Sequence, residues 1–127
     1  ENDDTIQKPF LVPAQTDYKK MLTSSVISSS TAFVKAELLQ EHPFRSDFYH
    51  EDYVLWMELL RVCPLACGDR KVLMHYRQTS GSRSNNKIKS ALERWKIYRY
   101  ALGLPFLESI CVFAKYAVNG EIKYRRI

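Results

Sequence analysis

One stretch of the sequence, residues 50–61 (HEDYVLWMELLR), constrains the fold more than any other part of the chain. Its apolar residues recur at i, i+3, i+4 and i+7, the spacing of one face of an α-helix. Further apolar residues widen that face until little of the helix is left for water. The residues concerned are Tyr53, Val54, Leu55, Trp56, Met57, Leu59 and Leu60. The stretch therefore predicts a buried helix.

Two adjacent carboxylates, Glu51 and Asp52, stand in the first turn of this predicted helix. Unpaired backbone N–H groups and the helix macrodipole stabilise negative charge there by a few tenths to about 1 kcal/mol, so capping alone accounts for the pair. The alternative is catalytic. A carboxylate held rigidly between the aromatic-rich loop 44–50 and a buried helix can act as a general base. The residues alone leave both interpretations open.

Length and composition predict at most one domain with a single core. The chain has 127 residues, of which 46% are hydrophobic and 26% charged, as in globular proteins. It contains no apolar run long enough to span a membrane and no secretory signal. Because it begins with Glu1 rather than Met, we expect a fragment of a longer protein.

The positive charge lies in the last third of the chain. Residues 1–82 carry 9 Lys/Arg against 11 Asp/Glu, whereas residues 83–127 carry 10 against 3. This asymmetry indicates an anionic partner, such as a diphosphate, a membrane surface or a nucleic acid, or else a solvated helix face. Because Trp95 and Tyr98 fall in an apolar stripe, we expect them in the core and predict no nucleic-acid binding.

The cysteine count is odd and lacks the spacing of a zinc site. Cys63 and Cys67 form a Cys-x-x-x-Cys pair, and Cys111 stands alone. We therefore predict reduced, structural thiols and a reducing compartment.

The remaining sequence predicts an α+β arrangement that is rich in helix. Residues 1–16 form an extended connector. Helices are predicted over 17–22 (capped by Asp17), 35–41, 86–102 (ended by Gly103) and 106–118, and strands over 26–34 and 71–76. The last helix is apolar nearly all round and needs cover from a missing part of the protein, a partner subunit or a membrane surface.

Two polar segments are candidates for binding. The hydroxyl-rich run 28–31 lines a cleft or faces water on a sheet edge. The loop 78–86 either merely connects or closes on an anion, because it lies between Arg77 and a basic helix.

The order and spacing of several motifs resemble the C-terminal half of bacterial family 2 glycosyltransferases, which have the GT-A fold. The match runs from about residue 17 to 123. It comprises Ser30-Thr31, Phe44, Glu51-Asp52-Tyr53-x-Leu55-Trp56-x-x-Leu59-Leu60, Tyr76-Arg77, Ser82-x-Ser84, Lys87 and Trp95-x-x-Tyr98-Arg99.

The resemblance implies transfer of a sugar, with inversion, from a nucleotide-diphosphate sugar to a saccharide or lipid-linked acceptor in cell-surface polysaccharide synthesis, including lipopolysaccharide. Asp52 would be the general base, with Glu51 beside it. The other substrate-binding candidates are Ser30 and Thr31 on the acceptor side of the cleft, Trp56 within the motif, and Arg77, Ser82, Ser84 and Lys87 as a lid over the leaving diphosphate.

The family's first half, which carries an Asp-x-Asp motif that holds Mn²⁺ or Mg²⁺, has no counterpart here. We therefore expect a metal ion in the intact enzyme but none bound by this fragment, and no activity from the fragment alone. The expected location is cytoplasmic, with peripheral contact at the inner membrane, and a homo-oligomer is compatible with the apolar last helix. The alternative is a non-catalytic module that docks a membrane or a partner protein through its basic helices.

Overall fold

The other helices pack around the buried helix predicted over residues 50–61. The computed structural model describes residues 10–75 and 86–125. In chain order the elements are β1 Gln15–Thr16, α1 Tyr18–Thr23, α2 Ala36–Glu41, α3 Glu51–Val62, β2 Ala66–Cys67, α4 Lys87–Lys96, a π-helical turn Ile97–Ala101, and α5 Phe106–Arg125. The structure is helix-rich with a small sheet, which agrees with the α+β prediction at that level.

Local sequence signals set the ends of these helices. The Asp17 carboxylate accepts the Lys20 backbone N–H at 2.9 Å, and the Asn86 side chain caps α4 by accepting the Lys89 N–H at 2.9 Å. Gly103 follows the π-helical turn and ends the helical segment that begins at Lys87. Its φ is +66°, the left-handed conformation that glycine adopts without strain. The predicted Asp17 cap, the predicted helix start at Asn86 and the predicted stop at Gly103 are therefore confirmed.

The core forms where α3 meets α1 and the π-helical turn. Met21, Val54, Met57, Ile97 and Tyr98 are wholly buried. Two tyrosine hydroxyls connect the helices. Tyr53 donates to the backbone carbonyl of Met21 at 2.8 Å, and Tyr98 donates to that of Leu22. Because both carbonyls lie at the end of α1, these bonds hold α1 against the buried helix.

The sheet consists of β1 and β2, which pair antiparallel with Gln15 opposite Cys67 and Thr16 opposite Ala66. Gly68 follows, and its N–H donates to the Ala14 carbonyl at 2.9 Å. A Cβ at Gly68 would lie 2.3 Å from the Pro13 oxygen, so only glycine permits this approach. The predicted connector thus contributes a strand at its end, and residues 1–9 lie outside the described residues.

Both predicted strands are wrong in the part of the chain that the structure describes. Within 26–34, residues Ser29–Thr31 form a 3₁₀ turn, and the other residues form no strand. Residues 71–75 likewise form no strand, and Tyr76 lies outside the described residues. The physical reason is that β-branched composition favours a strand only where a neighbouring strand supplies hydrogen bonds.

Two further predictions concern the helices. The apolar stripe predicted along residues 86–102 is only partly buried. Tyr98 is buried and Trp95 half-buried, but Ile88 is 77% exposed and Leu92 60% exposed. The last helix continues past residue 118 to Arg125. The three cysteines form no disulfide with one another, but all three are exposed rather than packed in the interior, so the prediction that they are structural thiols is wrong.

Candidate functional site

Asp52 lies at the start of α3 with both carboxylate oxygens engaged. One oxygen accepts the Tyr53 backbone N–H at 2.8 Å, and the other accepts the Ser29 hydroxyl at 3.1 Å. The side chain is half-buried, whereas Glu51 beside it is exposed. Asp52 therefore satisfies a first-turn N–H, as a cap does, and also holds a hydroxyl from another segment.

The Tyr53 side chain anchors this end of α3. Its ring is buried among the helices, and its hydroxyl reaches the Met21 carbonyl. Burial raises the pKa of Tyr53, and the nearby Arg94 guanidinium opposes part of that rise. Because Tyr53 cannot move without breaking these contacts, the neighbouring Asp52 is held in place.

Arg94 links the site to the basic helix α4. Its guanidinium lies 3.4 Å from the centroid of the Tyr53 ring and 4.8 Å from that of Tyr116, and Nη2 donates to the Ser25 hydroxyl at 3.3 Å. The residue is 5% exposed, and among the described residues its Nε and Nη1 have no hydrogen-bond partner. Arg94 thus contacts the residue after Asp52 and the segment leading to Ser29.

The predicted hydroxyls lie next to the one that contacts Asp52. Ser30 and Thr31 belong to the same 3₁₀ turn as Ser29. The Thr31 hydroxyl donates to the Ser28 carbonyl at 3.5 Å. The sequence predicted Ser30 and Thr31 on a strand, whereas the structure places them in this turn and makes Ser29 the partner of the carboxylate. Their role on the acceptor side stays a prediction.

The other predicted site residues are less closely gathered. Trp56 is 6% exposed in the core of α3, and its indole N–H has no partner among the described residues. Lys87 is exposed at the start of α4. Arg77, Ser82 and Ser84 lie outside the described residues. The substrate-binding roles of all these residues stay predictions.

Ser29 and Arg94 are the contacts that the sequence did not reveal. Ser29 is one of several hydroxyl residues in succession, and the local sequence does not indicate which of them faces the helix. Arg94 is one of several cationic residues in α4, and the sequence therefore predicts a solvent-exposed side chain. Its position outside the apolar stripe gave no indication of burial, because that burial depends on the rings of Tyr53 and Tyr116 from other helices.

Residues 10–75 and 86–120 offer no site for the expected metal ion. No group of three His, Cys, Asp or Glu side chains there is arranged to hold one. Asp52 and the exposed Glu51 are the acidic groups at the site, and divalent cations take more oxygen ligands than this pair supplies. No step is therefore assigned to a metal held by this part of the chain.

Sequence comparison identifies bacterial relatives over nearly the whole chain. TuaG of Bacillus subtilis, provisionally named as a teichuronic acid biosynthesis glycosyltransferase, is 28% identical over 118 residues, covering 93% of this chain and 47% of TuaG. WfgD of Escherichia coli, named as a UDP-Glc:alpha-D-GlcNAc-diphosphoundecaprenol beta-1,3-glucosyltransferase, is 31% identical over 127 residues, covering 97% of this chain and 48% of WfgD.

A second Escherichia coli protein with the same descriptive name, WfaP, is 29% identical over 124 residues, covering 98% of this chain and 49% of WfaP. No protein-family profile and no solved structure matches the chain. The resemblance to bacterial glycosyltransferases that the motifs predicted is confirmed. The chain is therefore related to bacterial glycosyltransferases along nearly its whole length and spans about half the length of those it matches.

Proposed function

We propose that the chain is the C-terminal, acceptor-side part of an inverting, family 2 glycosyltransferase that builds cell-surface polysaccharide. The observation that carries the proposal is the alignment of nearly the whole chain with bacterial glycosyltransferases, two of them named for transfer to a diphosphoundecaprenol-linked sugar. A nucleotide sugar as donor and a lipid-linked saccharide as acceptor follow from that relationship. The geometry at Asp52 adds a residue with a defined task.

Asp52 is the general base in this proposal. An acceptor hydroxyl attacks the anomeric carbon from the side opposite the leaving diphosphate, and a carboxylate in reach takes the hydroxyl proton as the new bond forms. The α3 N-terminus favours a charged carboxylate. The Ser29 hydroxyl at 3.1 Å holds one of its oxygens and limits its rotation. The second oxygen accepts the Tyr53 N–H at 2.8 Å and no other hydrogen bond from the described residues, so it retains lone pairs for a proton.

The leaving nucleoside diphosphate needs positive charge to stabilise it. The proposal assigns this task to the other half of the enzyme, with Mn²⁺ or Mg²⁺, and to Arg77, Ser82, Ser84 and Lys87 of this chain. A metal ion in that half would neutralise charge on the diphosphate as the sugar leaves. Within this chain the named side chains would bind the diphosphate oxygens and exclude water.

A GT-A fold for the complete enzyme would explain the two segments whose strands did not form. Residues 26–34 and 71–76 have strand composition, but 26–34 and 71–75 lack a strand neighbour in the described part of the chain. In a complete GT-A domain the parts of these segments outside the Ser29–Thr31 turn would pair with strands of the other half. The short pairing of β1 with β2 is then a minor part of the domain's sheet.

A cytoplasmic location with peripheral contact at the inner membrane completes the proposal. Across the described residues, no helix is both long and apolar enough to cross a bilayer. Contact with lipid would therefore be made from the surface, where a polyprenol-linked acceptor presents its sugar.

The proposal is tested by transfer in the longer protein that contains this chain. Purified protein is mixed with UDP-glucose, Mn²⁺ and a synthetic GlcNAc-diphospholipid, and the product is analysed by mass spectrometry and by NMR of the new anomeric centre. We expect one hexose added with inverted configuration. A product of retained configuration contradicts inversion, and no transfer from a full panel of nucleotide sugars contradicts the enzyme assignment.

A non-catalytic docking module is the second candidate, because α5 carries exposed apolar residues such as Leu107 at 75% and Val118 at 59%. In such a module the acidic pair only caps α3, and substitution of Asp52 would alter stability but no activity.

A further inference from the structure

The Arg94 side chain is buried although its guanidinium always carries a charge. None of the ion pairs between described residues includes it. Its Nε and Nη1 also lack a hydrogen-bond partner in that part of the chain. An apolar side chain of similar size would avoid the cost of burying these groups. Packing alone therefore does not account for an arginine at this position.

Arg94 contacts both segments that hold the Asp52 carboxylate. On one side its guanidinium lies 3.4 Å from the centroid of the Tyr53 ring, and the Tyr53 N–H donates to one oxygen of the carboxylate. On the other side Nη2 donates to the Ser25 hydroxyl at 3.3 Å. Ser29, four residues after Ser25, donates to the second oxygen. The two supports of the carboxylate therefore meet at one side chain.

The segment that leads to Ser29, residues 24–28, forms no helix or strand. Its two apolar side chains are partly buried against the core, but apolar contacts have no preferred direction. The hydrogen bond from Arg94 to Ser25 does have one. This bond therefore supplies orientation that the apolar contacts of the segment do not.

Arg94 is itself held from two further directions. Its backbone belongs to α4, and its guanidinium lies 4.8 Å from the centroid of the Tyr116 ring of α5. A planar cation against two aromatic rings keeps one orientation, because tilting it would weaken both contacts. The side chain is thus rigid enough to fix the groups that it touches.

We propose that Arg94 is a positioning residue for Asp52, and that it fixes the two hydrogen-bond donors on which that carboxylate rests. As a buried side chain it acts through its neighbours and not on the substrate. A general base must lie within hydrogen-bond distance of the attacking hydroxyl, so a displaced carboxylate slows transfer while the donor still binds. The inference rests on the proposed function, since it names a residue that orients its general base.

The test compares Arg94→Met with the wild type in the longer protein that contains this chain. Methionine fills much of the same space without the charge or the N–H groups. We expect kcat to fall at least about tenfold, with KM for the donor within about twofold. The melting temperature should stay within about 4 °C, because the lost contacts are offset by removal of a buried, unpaired charge. A kcat within about twofold of the wild-type value would overturn the inference.

Arg61→Met is the matched control for loss of a guanidinium that contacts a tyrosine ring. The Arg61 guanidinium lies 5.3 Å from the centroid of the Tyr18 ring and donates to the Leu102 carbonyl at 2.7 Å. It belongs to the last turn of α3, whereas Asp52 belongs to the first. We expect kcat of this variant within about twofold of the wild-type value. An equal fall in both variants would contradict a role specific to Asp52.

Ser25→Ala removes the same hydrogen bond from its other end. Because Ser25 is exposed, this variant folds and decides the question even if Arg94→Met does not fold. We expect kcat to fall about threefold, and we expect no further fall when Ser25→Ala is added to Arg94→Met, since both changes break one contact. An unchanged kcat in Ser25→Ala, or losses that add in the double variant, would overturn the inference.

Hydrogen exchange at single residues of the longer protein follows the turn without requiring activity. The Thr31 N–H donates to the Ser28 carbonyl at 3.1 Å, within the turn that carries Ser29. In Arg94→Met we expect this amide to exchange at least about tenfold faster, because the segment before the turn is released. Exchange in α1 should be unchanged, as should exchange of the Thr31 amide in the control variant. Equal Thr31 exchange in Arg94→Met and the wild type would overturn the inference.

The two proposals fail separately. A longer protein that transfers no sugar contradicts the proposed enzyme, while faster Thr31 exchange in Arg94→Met would still support the positioning contact. An active protein whose Arg94→Met variant keeps both its kcat and its Thr31 exchange contradicts the role of Arg94 alone.

Discussion

Three residues carry polar groups into the core, namely Tyr53, Tyr98 and Arg94. The contacts of these groups join one helix to another. The two hydroxyls bond to carbonyls at the end of α1, and the guanidinium lies over the Tyr53 ring at 3.4 Å. A buried polar group without a partner costs about 1–3 kcal/mol, so these contacts specify how the helices meet as well as adding stability.

The buried tyrosines predict a loss of stability at alkaline pH. Burial, followed by the neighbouring Tyr53, raises the pKa of Tyr98 far above its ordinary value. The unfolded chain loses these protons above about pH 10 while the folded chain keeps them. The buried phenols therefore contribute fully to the free energy of unfolding below about pH 10. Above that pH the free energy of unfolding falls by up to about 1.4 kcal/mol per pH unit for each buried phenol.

Tyr98→Phe tests this in urea unfolding series from neutral to alkaline pH. At neutral pH we expect a cost of about 1–3 kcal/mol, because the Leu22 carbonyl loses its donor. Above about pH 10 the variant should lose stability with a shallower slope than the wild-type chain, because one buried phenol is absent. Parallel slopes would contradict the role given to Tyr98.

Ser29 predicts an effect on turnover that the neighbouring serine does not share. Ser29 donates to Asp52 at 3.1 Å. A hydrogen bond to a charged group is worth about 1.5–3 kcal/mol, and since Ser29 is exposed we expect the lower end. In the longer protein, Ser29→Ala should lower kcat about tenfold with little change in KM for the donor. A larger fall in kcat for Ser30→Ala than for Ser29→Ala would contradict this assignment.

The glycine that follows the π-helical turn, Gly103, tests whether backbone strain determines where a helix ends. Gly103 has φ +66°, and an added Cβ would meet nothing within 4 Å, so only backbone strain opposes a side chain there. Gly103→Ala should cost about 1–2 kcal/mol in unfolding free energy. Gly120 in α5 is the control. Its φ is ordinary and its surroundings are equally open, so Gly120→Ala should stabilise the chain by about 0.5–1 kcal/mol. Equal effects from the two variants would rule out the strain explanation.

Helices could be predicted from the sequence because their signals are local. The i, i+3, i+4 pattern of α3, the Asp17 cap and the Gly103 stop lie within a few residues of the structure that they specify. The strands over 26–34 and 71–76 could not, because a strand also needs a neighbour, and composition does not reveal whether one is present. For the same reason, the exposure of Ile88 and Leu92 was missed, since a helical stripe predicts a face but not what covers it.

In the candidate site, too, local features could be predicted from the sequence and long-range contacts could not. The place of Asp52 at the start of a buried helix could be predicted from the sequence, and its catalytic role stays a prediction from the family resemblance. Ser29 and Arg94 could not, because their contacts join segments 23 and 69 residues apart in the chain. The lid residues Arg77, Ser82 and Ser84 rest on the resemblance alone.

The proposed GT-A domain predicts that residues 26–28, 32–34 and 71–75 change state when the proposed other half is present, while the Ser29–Thr31 turn is kept. In this chain they lack a strand partner among the described residues. In the longer protein we expect their amide hydrogens to be protected from exchange by strand pairing. Hydrogen exchange measured by mass spectrometry on both proteins tests this. Equal exchange of these segments in the two proteins would contradict a GT-A sheet that includes them.

The central claim is that Asp52 accepts the proton of the attacking hydroxyl. The most direct measurement is single-turnover transfer by the longer protein carrying Asp52→Asn, with donor binding measured separately by calorimetry. The substitution keeps the size of the side chain and one oxygen for the Tyr53 N–H, and the Ser29 hydroxyl can turn to accept from the new amide N–H, so the fold and donor affinity should be nearly unchanged. We predict a rate reduced by about a hundredfold or more, as expected for loss of a general base. Transfer that stays within about tenfold of the wild-type rate would show that Asp52 caps its helix and does no chemistry.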